Sequence, residues 1–553
     1  MKKRGFTLIE LLAVIVILAI IALIATPAVL NIIEDSKKSV AEASARNIVA
    51  TAKNYYLNEI MNGRVVKNID LSYETIKYGG EQATKGYVEF TNSGDASSKM
   101  YINGYCVEVN TNGDVTSKKV DEDDCSITYP ENIEVKPNSP KLFSNMIPVT
   151  YNQSTSKWTY ADTTSKWYDY ENKQWANAVL LVSNPSKQYS VGNDIEMDDI
   201  AQMYVWIPRY KYVVFNANNE SLDEQVIEVV FERGAETTGT VKCHDVISGT
   251  AGQSSEVCTD STNGLIVNGK STYTHPAFCF GRKNEDGSCS GTELTGIWVA
   301  KFEVSGAASA TELKVKPNEK SLLSISLPSF FNAMNGVSNS YNIKDENQVL
   351  ADSHMIKNME WGAVAYLQQS KYGIGITDMG VNNYYVNDAP YFMTGCGSAI
   401  GTTTTTTTCE KYDTANGVLA STTGNIYGIY DMSGGAWEYV MGNMVDTSGN
   451  FYVSDTESFS PNVKYYDSYS YNNSDITHGR GKLGDATKET LRIFGNSEGG
   501  WYSDYLSFPS SNDSCFLRGA RAGDGSKTGI FAFGSLSGIS YKNGSSRLVI
   551  TQQ

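Results

Sequence analysis

The opening stretch constrains everything that follows it. The chain begins MKKRGFTLIELLAVIVILAIIALIATPAVLNII, with Lys2, Lys3 and Arg4 ahead of an apolar run from Leu11 to Ile33 and a lone acid, Glu10, at its edge. A cleaved secretory signal has an apolar region of only ~7–15 residues and a small-residue cleavage site after it. This run is longer, and no such site follows. About 20 apolar residues cross a bilayer, so the stretch reads as a single membrane span. The basic residues keep its start cytoplasmic and place the chain after Glu34 outside. Neither reading accounts for Gly5 or Glu10, because a carboxylate at membrane depth is costly until something neutralises it.

The phrase GFTLIE followed by an uncharged run resembles the prepilin leader of type IV pilins and their type II secretion relatives. The resemblance implies that a prepilin peptidase removes residues 1–5 by cutting after Gly5, and methylates the new amino end at Phe6. It implies a single-pass membrane precursor whose destination is the pilus or cell surface. It also implies a partner for Glu10: the charged amino terminus of a neighbouring pilin subunit, an ion pair that offsets the cost of burial. Pro27 falls where pilins carry a helix-kinking proline, which membrane helices tolerate.

The helix is expected to run on past the membrane, over residues 6–62. SVAEASARNIVATAKNYYLNEIMNG is rich in helix formers, repeats apolar residues at Ile48, Ala52, Tyr55 and Tyr56, and ends at Asn62-Gly63. From Phe6 to Met61 such a helix would be ~85 Å long. Residues 63–130 then hold short strand-like runs, GYVEF, KMYING and YCVEVN, between turn residues. Cys106 and Cys125 frame the end of this piece, as a disulfide closes the C-terminal loop of many pilins.

More than four hundred residues remain, enough for a large further core. The formal charge of −16 argues against nucleic acid as a partner. Eight of the nine cysteines fall into sequence-local pairs, Cys106/Cys125, Cys243/Cys258, Cys279/Cys289 and Cys396/Cys409, with Cys515 left over. In an exported chain that reads as a disulfide set. The spacings match no zinc template, and His244, His275, His354 and His478 form no i, i+4 ligand pair. Residues 131–195 read as a proline-bearing linker and a separate aromatic-rich module holding Trp158, Trp167 and Trp175. Those rings either stack on sugars or pack inward as a core. The seven threonines after Gly401, between Cys396 and Cys409, read as a surface loop.

The last part is expected to be an α+β head over residues 196–553. KNMEWGAVAYLQQSKYG reads as an amphipathic helix. In order along the chain, GIWVAKFEVSG, that helix, NIYGIYDMSGGAWEYVMGN and FLRGARAGDGSKTGIFAFGSLSGISYKNGSSRLVI resemble elements of the formylglycine-generating-enzyme-like branch of the C-type lectin fold. The oxidase of that family holds copper with two cysteines after an Arg-Gly turn, as soft thiolates suit Cu(I). Here Asp524 and Gly529 align with them, so the resemblance implies a scaffold without that chemistry. It also implies a structural calcium at Asp431, Glu438 and the carbonyls of Gly434 and Ala436, although Asp431 serves equally to cap a turn.

The same fold serves binding proteins, among them hypervariable targets of diversity-generating retroelements, whose variable segment is C-terminal. From Arg518 to Arg547 framework-like residues (Gly519, Phe531, Phe533, Arg547, Leu548) alternate with small or polar ones (Ala522, Asp524, Ser526, Ser535, Ser537, Tyr541). A ligand face at Arg521, Asp524, Lys527 and Tyr541 is the expectation. The sequence therefore reads as a minor or tip pilin-like subunit that presents a non-catalytic head to an external protein or glycan. Its rivals are a structural pseudopilin of a type II-like secretion system and a surface enzyme.

Overall fold

A computed structural model of the chain describes all residues except 1–7, 62–65, 72–75, 92, 123, 131–134, 216–222, 249–252, 259–270, 388–390, 399–403, 454–458, 472–480 and 495–496. For most residues from 8 to 28 it describes backbone alone. The chain forms two compact units, Met1–Lys136 and Pro137–Gln553.

The first unit is one helix and one sheet. The helix spans Leu8–Met61 and continues through Pro27. Ala41, Ala45, Ile48, Val49 and Ala52, spaced at i, i+4, i+7, i+8 and i+11, are buried in the core of this unit. They meet a five-stranded antiparallel meander in sequence order, from Asn68–Asp70 to Val115–Lys119. Its central strand, Ala96–Ile102, alternates buried and half-buried residues along its length, as a sheet with one covered face requires. Tyr56 stacks on Phe90 with ring centroids 4.6 Å apart. Cys106 and Cys125 are bonded. Among the described residues no helix is long and apolar enough to cross a membrane.

The second unit is built on two sheets. The larger has eight strands in the order Asp352–Met355, Leu548–Thr551, Gly296–Ala300, Ile200–Pro208, Asn177–Leu181, Ile147–Asn152, Lys157–Tyr160 and Asp194–Ile195. Strands from residues 147–195 thus share one sheet with those from the rest of the head, which corrects the expected boundary at 195/196. Trp158, Trp167 and Trp175 explain why: they are 1%, 8% and 0% exposed, so the phrase that carries them is core. None can stack on a sugar from solvent. The smaller sheet is centred on Trp437–Met444, which pairs with Asp467–Tyr469, Cys515–Arg518 and Gly544–Ser546, while Phe533–Leu536 flanks Cys515–Arg518.

The helix Asn358–Gln368 is not amphipathic, because all of its residues are buried. Its acid, Glu360, accepts from the Lys357 backbone N–H at 2.8 Å and meets the His354 ring at 3.0 Å, so burial leaves it partnered. The other three cysteine pairs, Cys243–Cys258, Cys279–Cys289 and Cys396–Cys409, are bonded as well. Cys515 is free and buried, and burial pushes its thiol up to about 12.

Candidate functional site

Three arrangements in the described residues bear on function. The first is a buried charge cluster where the smaller sheet meets the loop Tyr430–Ala436. Trp437–Met444 delivers Glu438, and Ser546 hands the chain to Arg547 just before the terminal strand. Arg547 clamps Glu438 through Nε at 3.1 Å and through Nη2, and donates to the carbonyls of Ala300 (2.8 Å) and Tyr430 (2.9 Å). Asp431 sits at φ +63°, and its carboxylate accepts from the Asn382 amide at 2.8 Å and from Gly395 N–H at 2.9 and 3.0 Å. Glu303, absent from the sequence-based set, is also here. It accepts from Ala436 N–H at 2.8 Å, and its Oε2 is buried without a partner.

Burial raises all three carboxyls: Glu438 to about 7 despite Arg547, Asp431 above its ordinary range, and Glu303 furthest, with the charges of Asp431 and Glu438 adding to the effect. Calcium takes 6–8 oxygen ligands. In this cluster the Arg547 guanidinium and the N–H groups of Asn382, Gly395 and Ala436 already engage Glu438, Asp431 and one oxygen of Glu303, and Ala436 turns its N–H, not its carbonyl, toward Glu303. The residues Asp431, Gly434, Ala436 and Glu438 do not fit a calcium cage. The cluster locks a corner of the fold instead, with Asp431 tying its loop to Asn382 and Gly395.

The second arrangement is the C-terminal segment. Arg521 and Asp524 open the 3-10 turn Ala522–Lys527, with the Arg521 guanidinium 3.1 Å from the Asp524 carboxylate. Lys527 lies over the Tyr505 ring at 6.0 Å, and Tyr505 packs edge-on against Trp437. Gly544, paired with Trp437, abuts the Tyr541 ring. Lys527 is exposed, and Arg521, Asp524 and Tyr541 are half-buried. Of the framework residues, Phe531, Phe533, Arg547 and Leu548 are wholly buried. Ala522, read as an exchangeable position, is buried too and belongs to a small core cluster with Phe392 and Ala436.

The convergent His/Cys/Asp/Glu donor group among the described residues is Cys243, Glu256 and Cys258, whose two sulfurs are bonded to each other. A side chain at Gly529 would meet the Asp504 carboxylate at 2.1 Å.

The third arrangement is the start of the chain. Gly5 and Phe6 lie outside the described residues, as does the side chain of Glu10, whose backbone is helical. What is described is a helix of 54 residues that leads into a small antiparallel meander. Residues 1–26 match the family model of the prokaryotic N-terminal methylation motif. The N-terminus is thus that of a type IV pilin-like or pseudopilin subunit, a precursor made for the prepilin peptidase and for assembly with other pilin subunits. A search among curated proteins finds no match to the chain.

Sequence reasoning missed Glu303 and Lys301. Lys301 is wholly buried and donates to Asn177 Oδ1 (2.9 Å) and to the carbonyls of Ile426 and Gly428 (2.7 Å each). The signal was present, since two charges spaced i, i+2 inside the apolar phrase GIWVAKFEVSG project to one face of an extended run.

Proposed function

We propose that the protein is a minor or tip subunit of a type IV pilus, cut after Gly5, methylated at Phe6, and carrying a non-catalytic lectin-like head that binds an external ligand. The observation that carries this reading is the methylation motif at residues 1–26 on a chain whose head, Pro137–Gln553, has its own core. A head three times the length of the pilin unit would crowd a helical filament if every subunit bore one, so a tip or minor position follows. Glu10 pairs with the amino terminus of its neighbour in the assembly.

The ligand face is assigned to Arg521, Asp524, Lys527 and Tyr541. Support comes from their half-buried or exposed position in a segment whose framework residues Phe531, Phe533, Arg547 and Leu548 are buried, an arrangement in which surface side chains vary while the frame persists. That arrangement also suits a hypervariable segment. The non-catalytic reading is supported by the inert thiol of Cys515 and the blocked space at Gly529. The test is a ligand screen with sheared pili. Pili carrying the wild-type subunit should retain an external protein or glycan that pili lacking the subunit do not. Retention of pilins alone would make the protein a capping pseudopilin, and turnover of a probe would make it an enzyme.

A further inference from the structure

A hollow of about 400 Å³ opens on the head, within the size range of small-molecule sites, and shares no residue with the C-terminal segment. Tyr151 and Gln153 reach it from the hairpin of Ile147–Asn152 and Lys157–Tyr160. Asn172 and Gln174 come from the turn before Asn177–Leu181, and Asp413 and Tyr427 from the segment after the Cys396–Cys409 disulfide.

Its frame is fixed in advance. The Tyr427 hydroxyl accepts from Tyr151 N–H at 3.2 Å, and its ring meets the buried Trp158 edge-on at 5.8 Å. Asn425 ties the two sides together, accepting from Tyr427 N–H at 2.9 Å and donating to the Lys173 carbonyl at 3.1 Å. A frame held this way spends little ordering entropy on a ligand.

The groups left for a ligand are chiefly acceptor oxygens, with amide N–H donors beside them. Gln174 gives its amide nitrogen to the Trp167 carbonyl at 3.2 Å, and Asn172 gives its own to Asp169 at 2.9 Å, so each keeps an amide oxygen to offer. Gln153 and Asp413 make no side-chain hydrogen bond or ion pair among the described residues. No lysine, arginine or histidine lines the hollow, which disfavours phosphates, uronates and other anions. A single exposed carboxylate gives an amine little, as surface ion pairs contribute ~0–1 kcal/mol. Amide and carboxylate oxygens beside tyrosine rings instead suit a molecule with several hydroxyls at its edges and C–H faces between them.

We propose that this hollow is a second binding site, for a neutral saccharide terminus. It does not depend on the ligand face at Arg521 to Tyr541. The test uses the full-length protein in a sugar-free detergent, with saturation-transfer NMR against glucose-, galactose- and mannose-terminated trisaccharides, and with a sialylated trisaccharide and choline as contrasts. At least one neutral trisaccharide should bind. Asp413→Ala with Gln153→Ala should weaken it at least tenfold with an unchanged melting temperature, since both side chains are exposed. Alanine at Arg521, Asp524, Lys527 and Tyr541 together should leave the same signal intact, so that failure of one site is distinguished from failure of the other. The proposal is overturned if no neutral trisaccharide binds, if only the sialylated sugar or choline does, or if the double variant binds as tightly as wild type.

Discussion

The two units of this chain bury different chemistry. In Met1–Lys136 the core is almost wholly apolar, with helix residues at regular spacing set against alternating strand residues, and Asp70 is the charged group buried there among the described residues. In Pro137–Gln553 the interior holds Arg209, Lys301, Glu303, His354, Glu360, Asp431, Glu438, Glu489, Arg518 and Arg547, all with 0% exposure. An apolar core needs only the right period and volume. A core with this many ionisable groups is stable only when they are paired, hydrogen-bonded or held neutral, so the head is specified by long-range polar pairs and is the more fragile to their loss. All eight tryptophans lie in the head, so intrinsic tryptophan fluorescence reads that unit alone.

The sharpest break in this contrast is Arg547→Met. It removes the partner of Glu438 and leaves three carboxyls together in the interior, so unfolding monitored by tryptophan fluorescence should show a loss of about 3–5 kcal/mol. An unchanged denaturation midpoint would mean that the cluster does not hold the head together. Phe531→Ala should cost a similar amount, about 3–5 kcal/mol, through the cavity left by a wholly buried ring.

Next in size is the disulfide of the smaller unit. Replacing Cys106 and Cys125 by serine should destabilise the sheet of Met1–Lys136 by about 2–4 kcal/mol, the range for closing a short loop. Hydrogen exchange in Ala96–Ile102 should accelerate while the tryptophan transition stays in place. Movement of that transition would show that the two units are not energetically separate.

A smaller effect separates the units by pH. Burial holds the Glu489 carboxyl up at about 8 and Glu256 at about 7, against an ordinary 4.5. These groups keep protons that the unfolded chain releases, so they weaken the head as pH rises from about 4.5 to 8. Burial lowers the His354 imidazole, but Glu360 and Asp352 outweigh it and hold the ring at about 9 against an ordinary 6.5. Its stabilisation is full below about pH 6.5 and is lost as pH climbs through 9. Both effects have one sign, and His275, which opposes them because burial pushes its imidazole down to about 3, acts only below its ordinary 6.5, so the head should melt at a higher temperature near pH 7 than near pH 9. A melting temperature that rises over that interval would refute the assignment of these protons.

The smallest expected stability effect belongs to the proposed ligand face. Alanine at Arg521, Asp524, Lys527 and Tyr541 together should shift the tryptophan transition little, since surface changes usually stay within ~0.5 kcal/mol each. Retention of the external ligand by pili should nevertheless be abolished.

The same contrast explains what could be read in advance. Ile48 and Ala52 announced their helix face because one period governed every neighbour, and the strands of the meander pair in sequence order. The family phrases located Arg547, Phe531 and Leu548 as frame, and burial bears that out. The order of the eight-stranded sheet was not legible, because Leu548–Thr551 enters between Gly296–Ala300 and Asp352–Met355, strands roughly two hundred residues or more earlier. Nor was the membership of residues 147–195, whose tryptophans fit an independent module as well as a shared core. The saccharide hollow was illegible for the same reason: Gln153 and Asp413 meet only after the fold has joined segments far apart in sequence.

The central claim is that this large head travels on a pilin. It is tested most directly by N-terminal sequencing and mass measurement of the subunit recovered from sheared pili. The account predicts a chain that begins at N-methylated Phe6, and predicts that Glu10→Val leaves the protein in the membrane fraction but absent from the pili. A mature chain beginning at Met1, one cut after Ala25 or Ala28, or normal amounts of the Glu10→Val variant in pili would contradict it.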